Sequence, residues 1–553
     1  MNAEAGKAPT LRVGGSASSA TFNVADLWEM VAASVPDRVA VIADDQELTY
    51  RELDERADRL AAWLRASGLG QGSRVGVMMR NDARFLESYL AAYKVRAVPI
   101  NVNFRATAPE LDYLANDSGV RGLIFDPEFF EVVAAVAHTR DNNWWLLPTG
   151  EPYESALEAG SPRATTAESR SDDDKYVIYT GGTTGNPKGV VWRMVDAFHA
   201  CLGGGDPDGI RGPITRPAEI VDRITAEPVV FMPVAPLMHA AGQWPAFRWL
   251  LAGGTVVVMA RFDPARTWRR IGQCQVNVVN IVADAMARPL LEVLDADVAG
   301  RLSALRLLAS GGAPLSDDAR HRLATALPSI TVRDIYGSSE TGVQGWADWT
   351  TASTGTSRFK TFDTMLVDPR THRPLARTEA NEGLVARYGH VPLGYHGDPE
   401  ASARVFTAFN GTRVAITGDM GRIDNAGQFT LLGRGSDCIN TGGEKVYPRE
   451  VEEALLACKG LDDAMVVGRP HPRWGQQVVA LVVPKRDVAT SDADLGAHCR
   501  TRLAGYKIPR RYVHVASIQR RPNGKPDHAW ANSVIDGARA SGSFEREGLN
   551  ADG

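Results

Sequence analysis

Short β-branched runs that alternate with amphipathic helical segments constrain this chain most strongly. Near the N-terminus, residues 25–33 and 50–66 have helical spacing with charged faces, whereas RVAVI, RVGVMM and RAVPINV have the composition of short strands. The same alternation continues through KYVIYT, EPVVFMPV, GTVVVM, VNVVNIV and TVRDIYG. Because strands that alternate with helices pack as layers of helices on a sheet, we expect an α/β fold.

The length of the chain and a change of composition near residue 433 predict more than one domain. A chain of 553 residues exceeds the roughly 250–300 residues that a single core supports. We expect a large N-terminal α/β domain of several subdomains over residues 23–433, followed by a small, mobile α+β lid domain over residues 434–535. Residues 1–22 and 536–553 have little to pack and are expected to be disordered tails.

Charge and cysteine content exclude several classes of protein. Lys and Arg number 61 against 66 Asp and Glu, so the basic excess typical of nucleic-acid-binding proteins is missing. The 5 cysteines are far apart and predict neither a disulfide framework nor a thiolate zinc site. No apolar run approaches the roughly 18 residues of a spanning helix. We expect a cytoplasmic protein with no nucleic acid partner and no integral membrane contact, and the sequence leaves open whether it forms a homodimer.

A Thr- and Gly-rich loop between two apolar runs, YVIYTGGTTGNPKGV at 176–190, is the strongest chemical signal. Glycines let backbone N–H groups approach a phosphate, threonines add hydroxyl donors, and a lysine adds a charge. The loop differs from the G-x-x-x-x-G-K-[ST] type because Gly189 follows the lysine. A flexible surface turn is the alternative interpretation. The predicted phosphate-binding residues are Thr180, Gly181, Gly182, Thr183, Thr184, Gly185 and Lys188.

This loop resembles the phosphate-loop signature of the adenylate-forming superfamily, which contains acyl-CoA synthetases, luciferases and peptide-synthetase adenylation domains. The segment DIYGSSETG at 334–342 resembles the second nucleotide motif of that family. The resemblance implies that Tyr336 stacks on adenine, that Glu340 binds Mg²⁺ and that Thr341 contacts the α-phosphate. It further implies nucleotide contacts for Asp334 and Gly337, and it gives Thr184 a share in the metal site.

Further motifs follow in the order that the family has them. The segment at 309–315 resembles the loop that lines the adenine and acyl pocket, which implies roles for Gly311, Gly312 and Ala313. By the same resemblance Asp419 binds the ribose hydroxyls, and Arg434 contacts ribose and phosphate. PNGKPDH at 522–528 resembles the C-terminal lysine loop, which makes Lys525 the catalytic lysine.

The resemblance implies two half-reactions, in which ATP first converts a carboxylic acid into an acyl-adenylate and the thiol of coenzyme A then takes the acyl group. In the family the small domain rotates between the two steps about a hinge that corresponds to Ser436. Asp or Lys is usual at that position, so Ser436 departs from the family pattern. The rotation would bring the segment Gly442, Gly443 and Glu444 to the coenzyme A channel.

The identity of the acid depends on less specific residues. His239 matches a gating position of acyl-CoA synthetases and is also a candidate catalytic residue. We expect His239 to line the acyl pocket together with Trp244, Gly204 and Val343. The segments TGNPKGVVW, PLMHAAGQW and IVADAMARPLL favour the branch that acts on steroid side-chain acids, with medium- or long-chain fatty acids next. Arylcarboxylate ligases, acyl-AMP ligases that load a carrier protein, luciferase-like enzymes, kinases and non-catalytic ATP-binding regulators remain as alternatives.

Overall fold

A computed structural model of the chain provides the geometry. It describes residues 20–44, 46–139, 144–160, 169–180, 187–313, 315–350, 358–376, 381–424, 428–434, 439–441, 444–471, 475–486, 488, 490–503, 505–521 and 526–540. Only the backbone is described for Arg434, Asn440, Glu444, Lys445, Gly475, Arg539 and Ala540.

Helices begin where the sequence offers caps. Thr49 accepts a hydrogen bond from Glu52 N while the Glu52 carboxylate accepts from Thr49 N, which is the capping box that starts the second helix. The helices are α1 Val24–Ser34, α2 Tyr50–Ala66, α3 Ala83–Lys94, α4 Ala108–Ser118, α5 Phe130–Ala137, α6 Glu151–Ala159, α7 Met194–Ala200, α8 Ala240–Leu251, α9 Pro264–Gln273, α10 Ala283–Glu292, α11 Ala296–Gly300, α12 Asp317–Ala326, α13 Pro399–Val405, α14 Pro448–Leu456, α15 Asp492–Arg500 and α16 His528–Ala540.

A large mixed sheet forms the centre of the N-terminal domain. Its strands are β1 Val39–Ala43, β2 Gln46–Thr49, β9 Val230–Pro233, β10 Thr255–Val258, β11 Val278–Ile281, β12 Leu307–Ser310, β13 Thr331–Ser338, β14 Gly342–Trp349 and β15 Lys360–Thr361. They lie in the order β15-β14-β13-β12-β11-β9-β10-β1-β2, and the run from β13 to β1 is parallel. Parallel strands are covered on both faces, which is why the sequence of these strands is almost continuously apolar.

Smaller sheets flank the large one. A parallel sheet has the order β4-β3-β5-β6, with β3 Arg74–Met78, β4 Val98–Asn101, β5 Gly122–Phe125 and β6 Trp145–Pro148. An antiparallel sheet has the order β18-β8-β7, with β7 Lys175–Thr180, β8 Lys188–Arg193 and β18 Gly394–Tyr395. A further antiparallel sheet has the order β16-β17-β20-β19, with β21 on β20, formed by β16 Thr364–Val367, β17 Asn381–Tyr388, β19 Phe406–Phe409, β20 Thr412–Ile423 and β21 Phe429–Arg434.

The chain leaves this last sheet at Arg434 and enters the C-terminal sheet at Ile439, next to the boundary that the sequence predicts. The C-terminal sheet has the order β23-β22-β25-β24 with β26 on β25, and consists of β22 Ile439–Thr441, β23 Glu444–Val446, β24 Leu461–His471, β25 Gly475–Pro484 and β26 Arg511–His514. Helices α14 and α15 pack on one face of the sheet, whereas α16 packs on the other.

The expected disordered tail from residue 536 is wrong at its beginning. Helix α16 continues to Ala540 because its apolar side, with Ala531 and Ile535 buried, covers Met465 and Leu481 of the sheet. Asp536 also accepts a hydrogen bond from Arg469. The rest of that expected tail lies outside the described residues.

The two domains touch through described residues. The Arg288 guanidinium on α10 donates a hydrogen bond of 2.7 Å to the carbonyl of Asp462, at the start of β24. Tyr447, just before α14, packs against Met420 and Leu432 of the N-terminal domain. The small domain therefore rests against the same side of the large domain to which α10 and α12 belong.

Candidate active site

The two ends of the phosphate loop lie side by side. Strands β7 and β8 are antiparallel, and their register places Thr180 opposite Lys188. Both strands are largely buried, so they anchor the two ends of the loop in the protein interior. The predicted phosphate ligands Gly181, Gly182, Thr183, Thr184 and Gly185 lie outside the described residues.

Tyr395 connects Lys188 with Glu340, so that the first and second nucleotide motifs meet in space. The Tyr395 hydroxyl donates a hydrogen bond of 3.1 Å to Oε1 of Glu340. The Lys188 ammonium lies 5.2 Å from the centre of the Tyr395 ring and makes an ion pair of 2.8 Å with Asp398. The Trp192 indole, also on β8, donates to the carbonyl of Ser339 at 3.1 Å. An ammonium and a carboxylate are thus presented together beside the loop.

Tyr395 and Asp398 are site residues that the sequence analysis missed. They lie in GYHGDP, and Asp398 is 210 residues from its partner Lys188. The short strand β18 pairs with β8, which brings this segment to the phosphate loop. An aromatic residue and a carboxylate in a Gly-containing turn are common at surfaces, so the only usable signal is their position between two nucleotide motifs.

A second pair of predicted residues is directly bonded. The Tyr336 hydroxyl donates a hydrogen bond of 2.9 Å to Oδ2 of Asp419, and Thr417 donates to the same oxygen at 3.3 Å. The Tyr336 ring is buried against Phe359 and Phe429. Asp419 on β20 also pairs in register with Arg434 on β21, whose side chain is not described. The residues expected at adenine and ribose therefore form one cluster.

Two residues of the second motif are turned inward, and this corrects their predicted nucleotide contacts. Asp334 is 2% exposed and accepts a hydrogen bond of 3.2 Å from Arg320 on α12. Burial raises the pKa of Asp334 to about 6, against the opposing effect of Arg449 and Arg320. Thr341 is 1% exposed, and its hydroxyl accepts from Ser338 N at 3.0 Å and donates to the Gly342 carbonyl at 3.1 Å. Both side chains are buried and make hydrogen bonds within the protein, so they are not accessible to a nucleotide.

The backbone geometry between β13 and β14 requires a glycine at position 337. A Cβ at this position would lie 2.2 Å from the Gly342 carbonyl oxygen, because β13 and β14 shift register between Tyr336 and Gly337. Only glycine fits this bulge. The tight turn carries Glu340 between the two strands and directs its side chain toward Tyr395.

The glycine segment after β12 lies against the start of α8. Gly312 has a φ of +86°, and a Cβ there would lie 3.9 Å from Val282 and 4.0 Å from Ala241. Gly311 is buried and donates its N–H to the Ile281 carbonyl at 3.3 Å, whereas Gly312 is exposed and Ala313 half-buried. The structure therefore brings Gly312 next to the first turn of α8, the helix that His239 precedes.

His239 precedes α8 and is half-buried. Burial, together with a smaller effect of the positive charge of Arg105, lowers the pKa of His239 to about 4. The imidazole is consequently neutral at physiological pH. This fits a pocket for an apolar chain better than a proton-transfer role, because a neutral ring with so low a pKa is a weak base.

Trp244 and Gly204 are not open pocket walls, which corrects their predicted role. The Trp244 indole donates to the Tyr176 hydroxyl at 2.8 Å, and this hydroxyl donates to Gln243 at 2.6 Å. Trp244 is 5% exposed, and the internal cavity that it borders is water-sized and too small for an acyl chain. Gly204 is buried with a φ of +61°, and a Cβ there would lie 2.9 Å from both His199 and Pro213.

Val343 is half-buried on β14 and packs at the edge of the main core, with its carbonyl accepting a hydrogen bond from Arg387. It is the predicted pocket residue, besides His239, whose side chain retains exposed surface. Lys525, Ser436, Gly442 and Gly443 lie outside the described residues, as does the side chain of Glu444.

The described carboxylates fit a metal ion that takes most of its ligands from phosphates and water. Within the described ranges, no group of three or more His, Cys, Asp and Glu side chains could hold a metal ion. Glu340 offers a partly exposed carboxylate beside Lys188, and Mg²⁺ is commonly held by one or two carboxylates together with phosphates and waters. Among the described helices, none is both long and apolar enough to cross a bilayer.

Comparison with known proteins identifies a family over most of the chain. Residues 28–396 match the AMP-binding enzyme family, and residues 450–525 match the AMP-binding enzyme C-terminal domain. A medium/long-chain-fatty-acid and 3-oxocholest-4-en-26-oate CoA ligase of Mycobacterium marinum is 38% identical over 541 residues, covering 93% of this chain and 97% of the relative. The 3-oxocholest-4-en-26-oate CoA ligase of Rhodococcus rhodochrous is also 38% identical, covering 92% and 95%.

A solved structure agrees with these matches. The crystal structure of ATP-bound MatB from Rhodopseudomonas palustris superposes with a TM-score of 0.77 at 25% identity, covering 93% of this chain and 99% of the other. The superposition extends over both the large domain and the small one.

Proposed function

Because the chain belongs to the AMP-binding enzyme family, we propose that it is an AMP-forming ligase that uses ATP to join a long or bulky hydrophobic carboxylic acid to coenzyme A. The observation that carries the proposal is the meeting of Lys188 and Glu340 at Tyr395, beside the cluster of Tyr336 and Asp419. In this proposal Lys188 would bind the phosphates, Glu340 would bind the metal, and Tyr336 and Asp419 would bind the purine and the ribose.

In the first half-reaction, an oxygen of the substrate carboxylate attacks the α-phosphorus of ATP, and pyrophosphate leaves. Two anions must approach each other, so positive charge fixed at the reacting oxygens lowers the barrier most. Lys525 would bridge the carboxylate and the α-phosphate, whereas Lys188 would hold the outer phosphates. Mg²⁺, held by Glu340 and the phosphates, would supply further charge neutralisation.

In the second half-reaction, the thiol of coenzyme A loses its proton to solvent, its sulfur attacks the acyl carbon, and the bond from that carbon to the phosphate oxygen breaks, so that AMP leaves. In this proposal Lys525 would lie where the thiol has to approach, so the small domain would have to move between the two steps. We propose that it rotates about the segment around Ser436, between the end of β21 at Arg434 and the start of β22 at Ile439. The rotation would bring Gly442, Gly443 and Glu444 to the thiol.

The names of the relatives support a hydrophobic substrate. The Mycobacterium marinum relative is named for medium- and long-chain fatty acids and for 3-oxocholest-4-en-26-oate, and the Rhodococcus rhodochrous relative for the steroid acid. A neutral His239, directly before the first residue of α8, is compatible with such an acyl chain. Each buried methylene adds roughly 0.8 kcal/mol, so a long or polycyclic body can outcompete acetate by several powers of ten.

Pyrophosphate release with and without coenzyme A tests this function. Acetate, decanoate, palmitate, ferulate and 3-oxocholest-4-en-26-oate are offered as substrates, and AMP and acyl-CoA are quantified by chromatography. We expect pyrophosphate, AMP and acyl-CoA in equal amounts, with the highest kcat/KM for the long or steroid acids. Glu340→Gln should lose activity, whereas Glu382→Gln, which changes a carboxylate paired with Arg422 on the surface, should retain it.

Other products would contradict the proposal. Pyrophosphate release without thioester in the presence of coenzyme A would indicate an acyl-AMP ligase that serves a carrier protein. Formation of ADP would indicate a kinase, and ATP binding without turnover of any acid would indicate a regulator. A preference for acetate would leave the ligase reaction in place and overturn the hydrophobic substrate.

A further inference from the structure

We propose that Tyr395 is a positioning residue that sets the Glu340 carboxylate and the Lys188 ammonium at a common place for the metal-bound phosphates of ATP. The inference rests on the proposed function and deepens it. Neither family motif contains Tyr395, and it touches both of them through one side chain.

The main chain of Tyr395 is fixed from two sides. Tyr395 pairs with Val190 across the antiparallel strands β18 and β8, and its N–H donates a hydrogen bond of 2.8 Å to the hydroxyl of Ser402 on α13. Lys188 is two residues before Val190 on the same face of β8, which makes it a diagonal neighbour of Tyr395. The ring therefore lies beside the lysine as a consequence of strand register.

The side chain of Glu340 depends on this fixed neighbour. Its N–H donates to the Ser338 hydroxyl at 3.2 Å within the β13 to β14 turn, but the carboxylate lies at the end of a side chain with several rotatable bonds. The hydrogen bond from the Tyr395 hydroxyl selects one direction for it. The indole of Trp192 also bonds the turn that carries Glu340 to β8, the strand that carries Lys188.

The charges around the ring support this interpretation. Lys188 faces the ring from β8 and Asp398 from the turn before α13, and the Glu340 carboxylate meets the hydroxyl. The Lys188 ion pair with Asp398 is exposed, at 43% and 38%, and such a pair contributes at most about 1 kcal/mol. Phosphates can therefore compete for the lysine, whereas the Tyr395 scaffold stays in place.

The substitution Tyr395→Phe isolates the hydroxyl, because the ring keeps its edge contact with Phe406, 5.4 Å between centroids. We expect the Kd of ATP in the presence of Mg²⁺ to rise about fivefold to tenfold, since one hydrogen bond to a charged group is lost. The Kd of ATP in EDTA should change by less than about twofold, since Glu340 acts on the phosphates through the metal. Both constants are measured by titration calorimetry.

A double-mutant cycle with Glu340→Gln separates positioning from general damage. If Tyr395 acts through Glu340, the double variant should bind ATP and Mg²⁺ no more weakly than Glu340→Gln alone. Additive losses, or equal losses with and without Mg²⁺, would overturn the inference. Tyr388→Phe on β17 is the matched control and should bind ATP as the wild type does. Because the cycle measures binding, it remains decisive even if no acid is activated and the proposed function fails.

Discussion

The Tyr336 hydroxyl donates a hydrogen bond of 2.9 Å to Oδ2 of Asp419, which joins β13 of the large sheet to β20 of a separate sheet. The first residue is predicted to face adenine and the second to bind the ribose hydroxyls. One hydrogen bond thus couples the two residues that are expected to bind the nucleoside. It also restrains the Asp419 carboxylate before any ribose arrives, which reduces the entropy lost on binding.

Tyr336→Phe should weaken ATP binding without removing the aromatic face. The lost hydrogen bond contributes about 1 kcal/mol, so we expect the Kd of ATP to rise about fivefold. Calorimetric titration with ATP provides the measurement, and Tyr506→Phe in the C-terminal domain is the control for an exposed tyrosine. An unchanged Kd would mean that Asp419 does not need Tyr336 to bind the ribose.

Lys525→Ala should separate the two half-reactions. In the proposed mechanism the lysine is needed only while the carboxylate and the α-phosphate meet, so acid-dependent ATP–pyrophosphate exchange should fall by at least about 100-fold. Thioester formation from supplied acyl-adenylate should stay near the wild-type rate. Lys459→Ala, an exposed lysine of the same domain, is the control. Equal losses in both steps of a folded variant would contradict the assignment.

Gly443→Leu should produce the opposite defect. A bulky side chain on the predicted coenzyme A segment would obstruct the thiol only after the small domain has rotated. ATP–pyrophosphate exchange should therefore survive, whereas acyl-CoA formation should fall. Gly537→Leu on α16 is the matched control, because a Cβ at Gly537 meets no atom within 4 Å. If exchange and thioester formation decline together, residues 442–443 do not belong to a separate conformation.

Gly204→Ala should destabilise the protein and leave its choice of acid unchanged. The φ of +61° is unfavourable for alanine, and the added Cβ would lie 2.9 Å from Pro213 and His199. We expect a loss of about 1–3 kcal/mol, seen as a lower Tm in calorimetry. Gly212→Ala has a similar positive φ but open space, so its Tm should fall less. A changed ranking of acids in the Gly204 variant would return this residue to the acyl pocket.

His239 should make the folded state less stable at mildly acidic pH. Burial lowers its pKa from 6.5 to about 4, so the unfolded chain binds the proton more readily than the folded one. Its contribution is complete above pH 6.5 and is lost as the pH falls toward 4, a change on the order of 1–3 kcal/mol. Thermal unfolding of the wild type and His239→Gln at pH 7.5 and 4.5 measures it. The variant should lose less stability over this interval, and equal losses would show that the imidazole is solvated.

Much of the fold was predictable because its signals are local. The strand KYVIYT before the phosphate loop, the helix over residues 50–66 and the domain boundary near residue 433 each depend on residues close in the chain. Apolar periodicity and turn residues determine such features with little help from distant segments. The same holds for the motifs that carry Lys188, Glu340 and Asp419, whose spacing indicates the family.

The pairing of distant segments was decided only by the tertiary structure. Tyr395 reaches Glu340 because β18 pairs with β8, and Asp334 is buried because α12 places Arg320 over it. Trp244 became a core residue through its bond to Tyr176 on β7. The sequence by itself determined which chemical groups this chain carries and in what local turns; long-range register and burial determined which of them face a ligand, since those depend on contacts between residues far apart in the chain.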